Sequence, residues 1–495
     1  MTLFLYNSLT RKKEPFQPIE PGKVGLYYCG VTVYDYCHVG HARACIIWDI
    51  ARRYFQWLGY DVRYVQNFTD IDDKILNRAR QEGTSMEAVA EKYIAAYFED
   101  MARLNVMEAD EYPRATHSIN GIKRLIAELE QKQFAYASKG DVYYRVRRFD
   151  QYGKLSGRKL EDMQAGASGR LTDDPDAPQK EDPFDFALWK GAKPKEPAWK
   201  SPWGNGRPGW HIECSAMVRD RLGDTIDIHA GGADLVFPHH ENEIAQSEAV
   251  TGKPLANYWL HNGMVNVGGE KMSKSLGNFT TIRQLLDAEG GPHPMALRLF
   301  MLQAQYRKPL DFTGEAIAAV KNSWQTLKEG LLFGHQFGQK LGWTDVDDQS
   351  FGDPFAMRID LESDAVDQFR NAMSDDLNTP GAIAVLFDLA KDLRRAGNLI
   401  AHEGKADTSS DALRQQWQTL VSLAQILGLA ADPAELTGAH ATGLADEQID
   451  ALITQRAEAR KAKNFTESDR IRDELTAQGI TLIDKPGGVT TWIRE

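Results

Sequence analysis

The sequence predicts an α/β protein: a doubly wound parallel sheet interrupted by an insertion, then an α-helical bundle and a small C-terminal domain. Three observations carry this reading. The stretch "GKVGLYYCGVTVYDYCHVGHARACIIWDIARRYFQWLGYDVRYVQNF" runs strand, loop, helix, strand within the length of one βαβ unit. Strand-like, glycine-bearing segments resume far downstream in "DTIDIHAGGADLVF" and "MVNVGGEKMSKS". Beyond residue 313 apolar side chains step by three and four, as on one helix face. At 495 residues the chain is also too long for a single core.

Val24 to Tyr28 are apolar and aromatic, as a buried strand requires. Ile46, Ile47, Ile50, Tyr54 and Leu58 then recur at helical spacing, and "YDVRYVQNF" alternates in the β manner, which completes a Rossmann-type unit. From about 84 to 136 the pattern is helical, with Thr84 and Ser85 as caps and Glu87 close behind. "GDVYYRVRRF", residues 140–149, reads as a strand. Pro175, Pro178, Pro183, Pro194, Pro197, Pro202 and Pro208 then predict irregular connecting loops. Residues 101–204 are therefore an insertion in a sheet domain made of 1–100 and 205–290, and the two later strand-like segments are expected in the same sheet. Residues 291–340 read as a linking helical region and 341–430 as a bundle, joined through the acidic "GWTDVDDQSFGDP". Ile317, Val320, Trp324, Leu327 and Leu331 begin the helical pattern. Ile383, Leu386, Ala390 and Leu393 continue it, as do Leu413, Trp417, Leu420, Ala424 and Leu427. Residues 431–495 form the terminal domain, with two helices, the second capped by Asn464 and ended by Gly479.

Composition excludes several classes. The apolar fraction of 42% and charged fraction of 26% are those of an ordinary folded protein. A net charge of −12 argues against indiscriminate binding of phosphate backbones, while leaving room for a local basic patch. The N-terminus carries no signal-like segment and no apolar run reaches membrane-spanning length, so a cytoplasmic location is expected. Cys29, Cys37, Cys45 and Cys214 are too few and too clustered for a disulfide framework; reduced thiols, in metal ligation or in the core, are the expectation.

Two short motifs carry chemistry. In "HVGH" a strand leads through a glycine-bearing turn into a helix, whose first amides and positive dipole end suit an anion. His38 and His41 add donors there, and Gly40 permits close approach to the backbone. The alternative is that either histidine is a helix cap or a packing residue, and the motif alone does not decide between them. Downstream, "KMSKS" places Lys271 and Lys274 three apart behind Gly268 and Gly269 and ahead of Gly277, on a loop suited to neutralising charge on a transferring phosphate.

Together these motifs resemble the two signatures of class I aminoacyl-tRNA synthetases. "YYCGVTVYDYCHVGHAR", "NFTDIDDKI", "PGWHIECSAM", "DIHAGGADLVFPHHENEIAQ" and "EKMSKSLGN" resemble the motif set of the cysteinyl-tRNA synthetase family in particular. The resemblance extends through "DDLNTPGAIAVLFDLA" to "ARKAKNFTESDRIRDEL", nearly the whole chain.

The resemblance implies one Zn²⁺ per chain held by Cys29, Cys214, His239 and Glu243, where spacing alone leaves each cysteine equally readable as a small core residue. Zinc binds a thiolate strongly and a neutral hydroxyl poorly, so it separates cysteine from serine without an editing domain. "HHENE" is not the H-E-x-x-H of zinc proteases, because Ile244 stands where the second histidine belongs. Cys37 and Cys45 remain as packing residues. By the same resemblance Gly232 and Asp234 belong to the ATP site, Asp234 accepting from a ribose hydroxyl, although Asp234 also reads as a loop or cap residue. Thr69 belongs to the amino-acid pocket and Trp210, which also reads as a core residue, to its wall. Asp70, Asp72 and Asp73 also read as a Mg²⁺ cluster or an aspartyl-phosphate site, but the downstream partners such sites need are absent, which leaves structural capping. Arg456, Arg460, Lys461 and Lys463, with Phe465 as a stacking platform, match the family's anticodon-binding end.

The implied activity is ATP-dependent activation of L-cysteine to its adenylate and transfer to the terminal ribose of tRNA(Cys), with ATP taken as its Mg²⁺ complex. A monomer without membrane attachment is expected. The rival readings are ligation of cysteine to an aminosugar acceptor in mycothiol synthesis, which the long helical tail beyond 313 argues against, and a non-catalytic paralogue, which the intact histidines and lysines argue against.

Overall fold

The computed structural model describes residues 2–162, 180–194, 196–271, 279–344, 346, 363–436, 446–462, 464–477, 480–484 and 490–494. The chain divides into two units, Met1–Ala431 and Asp432–Glu495.

The first unit opens with an antiparallel hairpin, β1 (Phe4–Asn7) and β2 (Lys12–Pro15). β3 (Lys23–Thr32), α1 (Val39–Trp57) and β4 (Asp61–Thr69) follow as the βαβ unit. After the helices α2 (Asp73–Glu82), α3 (Met86–Arg103) and α4 (Ile119–Gln131) come four short strands, β5 (Ala135–Ser138), β6 (Asp141–Tyr144), β7 (Phe186–Gly191) and β8 (Gly206–Pro208). α5 (Trp210–Leu222), β9 (Ile226–Gly232), α6 (Glu241–Thr251) and β10 (Ala256–Asn262) return to the main sheet. That sheet is parallel throughout, in the order β10-β9-β3-β4. The chain leaves β3 toward one edge and β9 toward the other, so the strand order reverses between them, and a crevice is expected outside their carboxyl ends. Both faces are covered: β3 is buried along most of its length, with Leu26 and Tyr28 in the same apolar cluster as Ile46, Ile47, Ile50, Tyr54 and Phe55 of α1, and Tyr27 in another. Burial of each such side chain contributes about 1.5–3 kcal/mol.

Three expectations are corrected. Residues 84–136 are not one helical stretch: α3 stops at Arg103, Asn105 takes φ 53°, and an extended segment around Pro113 precedes α4. The insertion is not irregular: β5, β6 and β7 lie within it and form an antiparallel sheet with β8, just past its boundary; no proline falls inside β7, and Pro208 ends edge strand β8. "MVNV" does not join the main sheet either. β11 (Val265–Val267) pairs with β12 (Glu270–Lys271) and with β13 (Leu310–Asp311) in a separate small sheet, and the fourth main strand is β10.

Between β12 and β13 lie α7 (Ile282–Leu286) and α8 (Pro294–Leu302), followed by α9 (Gly314–Leu331), α10 (Phe333–Phe337), α11 (Asp364–Ser374), α12 (Thr379–Glu403) and α13 (Ser410–Ile426). Buried polar nodes bind these helices to the sheet. Arg43, on α1 and wholly buried, donates to the carbonyls of Met264 at 2.8 Å, Tyr306 at 3.3 Å and Lys308. Arg298, on α8, meets the Asp49 carboxylate and the Leu427 carbonyl at 2.7 Å, while Arg53 meets the same carboxylate at 2.9 Å. The buried Asp376 carboxylate accepts from the Tyr6 amide at 2.8 Å, the Tyr306 hydroxyl at 3.0 Å and Arg307 Nε at 2.8 Å. Asp376 and Leu377 hold φ of 61° and 51°, a conformation that non-glycine residues keep only when their surroundings fix it.

The second unit contains α14 (Asp446–Lys461), α15 (Phe465–Ala477) and a hairpin of β14 (Ile480–Asp484) and β15 (Thr490–Arg494) around Ile449, Ile471, Leu475 and Ile480. Asn464 receives the Glu467 amide at 3.3 Å and so caps α15. Of the basic residues read from sequence, Arg456 is buried and donates to Thr490 Oγ1 at 3.4 Å, so it supports the hairpin; Arg460, Lys461 and Phe465 are exposed. Lys463 and Gly479 lie outside the described residues.

Candidate active site and metal-ligand cluster

The carboxyl ends of β3, β4 and β9 bring the candidate residues together. Cys29 sits near the end of β3, where the chain shifts register against β4. Gly30 makes that possible: a Cβ there would lie 1.9 Å from the Asn67 carbonyl oxygen, and Asn67 Oδ1 accepts the Gly30 amide at 2.9 Å. Cys214 comes from the first turn and a half of α5. His239 and Glu243 face each other across one helical turn where a wide turn, Val236–His240, runs into α6.

These four residues are buried, and their ligating atoms all lie within 4.8 Å of one another. The two sulfurs are 3.7 Å apart, Cys29 Sγ is 3.4 Å from Glu243 Oε1, and His239 Nε2 is 3.1 Å from the same oxygen. Two sulfurs each about 2.3 Å from a tetrahedral ion would stand about 3.8 Å apart, so the thiol spacing already fits one. The electrostatics point the same way. Hydrogen bonding from Cys29 brings the Cys214 thiol down to about 6, whereas burial pushes Cys29 well up. Burial raises Glu243, but His229 and His239 overcome it and hold the carboxyl at about 2. Burial lowers His239, yet Glu243 and Cys214 outweigh it and raise the imidazole to about 10. Without a metal, then, a proton on His239 neutralises part of a buried thiolate and carboxylate; a divalent cation suits the same place.

A ring of imidazoles that the sequence reading passed over surrounds this set. His229 Nε2 is 2.9 Å from Glu243 Oε2, His240 Nδ1 is 2.8 Å from His261 Nε2, and His261 Nδ1 is 2.8 Å from Ser8 Oγ. His229 and His240 form a second possible ligand set with Cys29 and Glu243, and His229 Nδ1 and His240 Nε2 are buried without a hydrogen-bond partner among the described residues. Burial holds His240 well below its ordinary range and His261 down to about 3, so both rings are neutral. Only the doubled histidine of "HHENE" hinted at them, since isolated histidines on strands leave no spacing signal.

On the outer side, Trp210 is the first residue of α5 and 39% exposed, its ring centroid 4.3 Å from that of His239. Thr69, at the end of β4, donates to the buried Glu213 at 3.3 Å. Gly232 closes β9, and Asp234 follows on an exposed turn with its carboxylate turned back toward Gly232.

His38 is the N-cap of α1, so the structural alternative describes it correctly. Its Nδ1 accepts from the amides of Gly40 at 3.0 Å and His41 at 3.3 Å, and His41 Nδ1 accepts from the His38 amide at 3.2 Å. Both rings must therefore carry any single proton on Nε2, and they stack with centroids 3.7 Å apart. A Cβ on Gly40 would lie 2.8 Å from His38 Cε1, so the glycine is needed for this arrangement of the ring. Lys271 ends β12, its backbone paired with Asn266; Lys274 lies outside the described residues. Asp72 caps α2 through the Lys74 amide, Asp70 accepts from Thr116, and Asp73 pairs with Arg207 and Lys190. Cys37 and Cys45 are buried in the core shared by the sheet and the helices.

Comparison with known proteins shows the family. Residues 15–322 match the model of the tRNA synthetases class I (C) catalytic domain, 368–431 the DALR domain and 442–492 the cysteinyl-tRNA ligase anticodon binding domain. Among curated proteins, the cysteine–tRNA ligases of Gloeothece citriformis and Synechococcus elongatus are 65% and 67% identical, each over 100% of both chains. Among solved structures, a Mycobacterium tuberculosis methionyl-tRNA synthetase aligns at TM-score 0.55 and 15% identity over 82% of this chain and 89% of that one. A leucyl-tRNA synthetase from Agrobacterium radiobacter aligns at TM-score 0.55 and 12% identity over 86% of each chain, a likeness of fold. The aminosugar-ligating alternative finds no support in these matches. With a class I catalytic model over its first 300-odd residues, an anticodon-binding model at its end and full-length relatives at 65–67% identity, the chain belongs to the cysteine–tRNA ligase family of class I aminoacyl-tRNA synthetases.

Proposed function

We propose that the chain activates L-cysteine with ATP at the carboxyl end of the parallel sheet and transfers the cysteinyl group to the terminal ribose of tRNA(Cys). A cysteine carboxylate oxygen attacks the α-phosphorus of Mg²⁺-bound ATP, and the bond to pyrophosphate breaks. A ribose hydroxyl of the tRNA then attacks the carbonyl carbon, and AMP leaves. No protein nucleophile is required, so the side chains contribute positioning and charge stabilisation. His38 and His41 present Nε2–H at the positive end of α1, where a phosphate gains from the helix dipole. Lys271 and Lys274 supply cationic charge to the departing pyrophosphate. Gly232 and Asp234 receive the ribose of ATP, and Thr69 and Trp210 wall the cysteine pocket.

Cys29, Cys214, His239 and Glu243 would hold the zinc ion, which when bound selects the substrate thiolate over the serine hydroxyl. The Trp210 ring, packed on His239, shields that side of the pocket from water. In the second unit, exposed Phe465 beside Arg460 and Lys461 offers a stacking face and positive charge for unpaired anticodon bases. A monomer in a reducing cytoplasm belongs to the same reading, supported by four free buried cysteines; among the described residues no helix is long and apolar enough to cross a membrane.

The observation that carries this reading is the convergence of two buried thiols, an imidazole and a carboxylate at the strand ends that also lead to His38 and Asp234. ATP–pyrophosphate exchange driven by cysteine and not by serine, with charging of tRNA(Cys) and not of an aminosugar, tests it. Exchange equally supported by serine would defeat the metal's assigned role.

A further inference from the structure

"HHENE" was set apart from zinc-protease chemistry, which leaves the wholly buried Glu241 unassigned. In the structure its carboxylate is turned away from His239 and Glu243 and grips a segment of the insertion. Glu241 Oε1 accepts the Gly153 amide at 2.9 Å and, at 3.5 Å, the Leu155 amide, while Oε2 accepts the Ser156 amide at 2.8 Å. The same helix holds the segment at two further points: Tyr152 donates to Asn242, and Lys154 pairs with Glu248. The segment's turn is specific, since Gly153 has φ +95° and a Cβ there would lie 1.9 Å from the Arg158 carbonyl oxygen. Just beyond it, the Arg158 guanidinium lies 4.4 Å over the ring of Phe237, two residues before His239.

The grip delivers one apolar side chain. Leu155 is 2% exposed and packs in the cluster that contains Cys29, Cys214, Met217 and Ile244. One stretch of α6 and the turn before it therefore supplies two candidate ligands, His239 and Glu243, and between them the carboxylate that fastens the segment carrying Leu155 into the apolar cluster of the thiols.

We infer that Glu241 is a positioning residue that clamps the 152–156 segment, and that Leu155 is the cover which keeps water and competing ligands from the Cys29–Cys214 side of the metal set. The inference rests on the zinc reading above, but its mechanical part does not need the metal. A carboxylate accepting main-chain amides is specific to an acceptor: in Glu241→Gln the amide nitrogen meets a backbone N–H, donor against donor, and the segment loses one anchor. Leu155→Ala keeps the anchors and removes the cover.

The test uses the full-length chain in two forms. In the zinc-loaded form, transfer of zinc to a chromophoric chelator is timed after elemental analysis of the starting protein. In the metal-free form, iodoacetamide labelling of each cysteine is followed by peptide mass spectrometry. Both variants are expected to release zinc and to label Cys29 and Cys214 at least about tenfold faster than the parent, the scale on which residues supporting metal ligands act. Cys37 and Cys45, in a different buried cluster, are expected to label at the parental rate. Parental rates at Cys29 and Cys214 in both variants would overturn the inference, as would equal acceleration at all four cysteines, which marks general loosening. A parent chain that holds no zinc after loading would overturn the zinc assignment instead, and the labelling would still decide the cover.

Discussion

Replacing Gly40 by alanine should separate stability from catalysis. The new methyl would stand 2.8 Å from His38 Cε1 and 2.9 Å from Nδ1, inside contact distance, so the ring must swing off the first turn of α1. It then gives up its bonds from the Gly40 and His41 amides, at 3.0 and 3.3 Å, and its stack on His41. Loss of a side-chain cap costs about 0.5–2 kcal/mol, while alanine for glycine inside a helix returns about 1 kcal/mol. The two nearly cancel, and the melting temperature should move by no more than about 4 °C. The rate does not share in that cancellation. A displaced donor to the transition state costs about 10²–10³ in kcat, so cysteine-dependent pyrophosphate exchange should fall by that factor. Adding His38→Ala to Gly40→Ala should cost little more than His38→Ala alone, because both remove the same Nε2 donor. Exchange at the parental rate in Gly40→Ala, or full additivity in the double variant, would refute the reasoning.

Cys214→Ser puts a poor zinc ligand in the set; elemental analysis should show less than one zinc per chain and the KM for cysteine should rise, whereas full zinc with unchanged activation would count against the ligand assignment. Asp49 is raised by burial but pulled below the usual carboxylate range by Arg53 and Arg298, so the stability it contributes is complete above about pH 4 and fades as pH falls through its lower folded value. Asp49→Asn should therefore lower unfolding free energy at pH 7 by about 3–5 kcal/mol, with the gap narrowing toward pH 3; a gap that stays constant would exclude the ion pair as its source. A chain ended after Ala431, where the two units divide, should keep pyrophosphate exchange but charge tRNA with a raised KM and weakened anticodon preference; unchanged tRNA kinetics would release the second unit from anticodon reading.

The βαβ unit was legible because β3 and α1 each bury a periodic set of apolar side chains, and periodicity is what a sequence displays openly. The short strands were not. β1 and β2 have four residues each, too few to establish a period, and β14 and β15 show no clean alternation of apolar and polar side chains. At the site, residue types sufficed where several sit together, as in "HVGH", but spacing left the metal set undecided: Cys29 and Cys214 are separated by 185 positions and meet only because β3 and α5 pack. His229, His261 and Glu213 form no motif of their own, and the purpose of each appears only with its neighbours in space. At Gly40 the sequence suggests room for a ligand, and the fold adds a second demand that no spacing shows: a Cβ there would meet the His38 imidazole.

The Asp376 node has a consequence in time. The amide of Tyr6 bonds to a carboxylate 370 positions later, and Asp376 in turn donates its own amide to the Phe4 carbonyl. A ribosome adding about 5–20 residues per second needs roughly 20–70 s to make that much chain. Throughout that interval the strand that leaves the ribosome first lacks its final partner, whereas the parallel sheet has all four of its strands once Asn262 has been made. The beginning of this chain is therefore among the last parts to be fixed in place, and a nascent chain halted before residue 376 should expose its first hairpin to proteolysis or to chaperones even after the parallel sheet has formed.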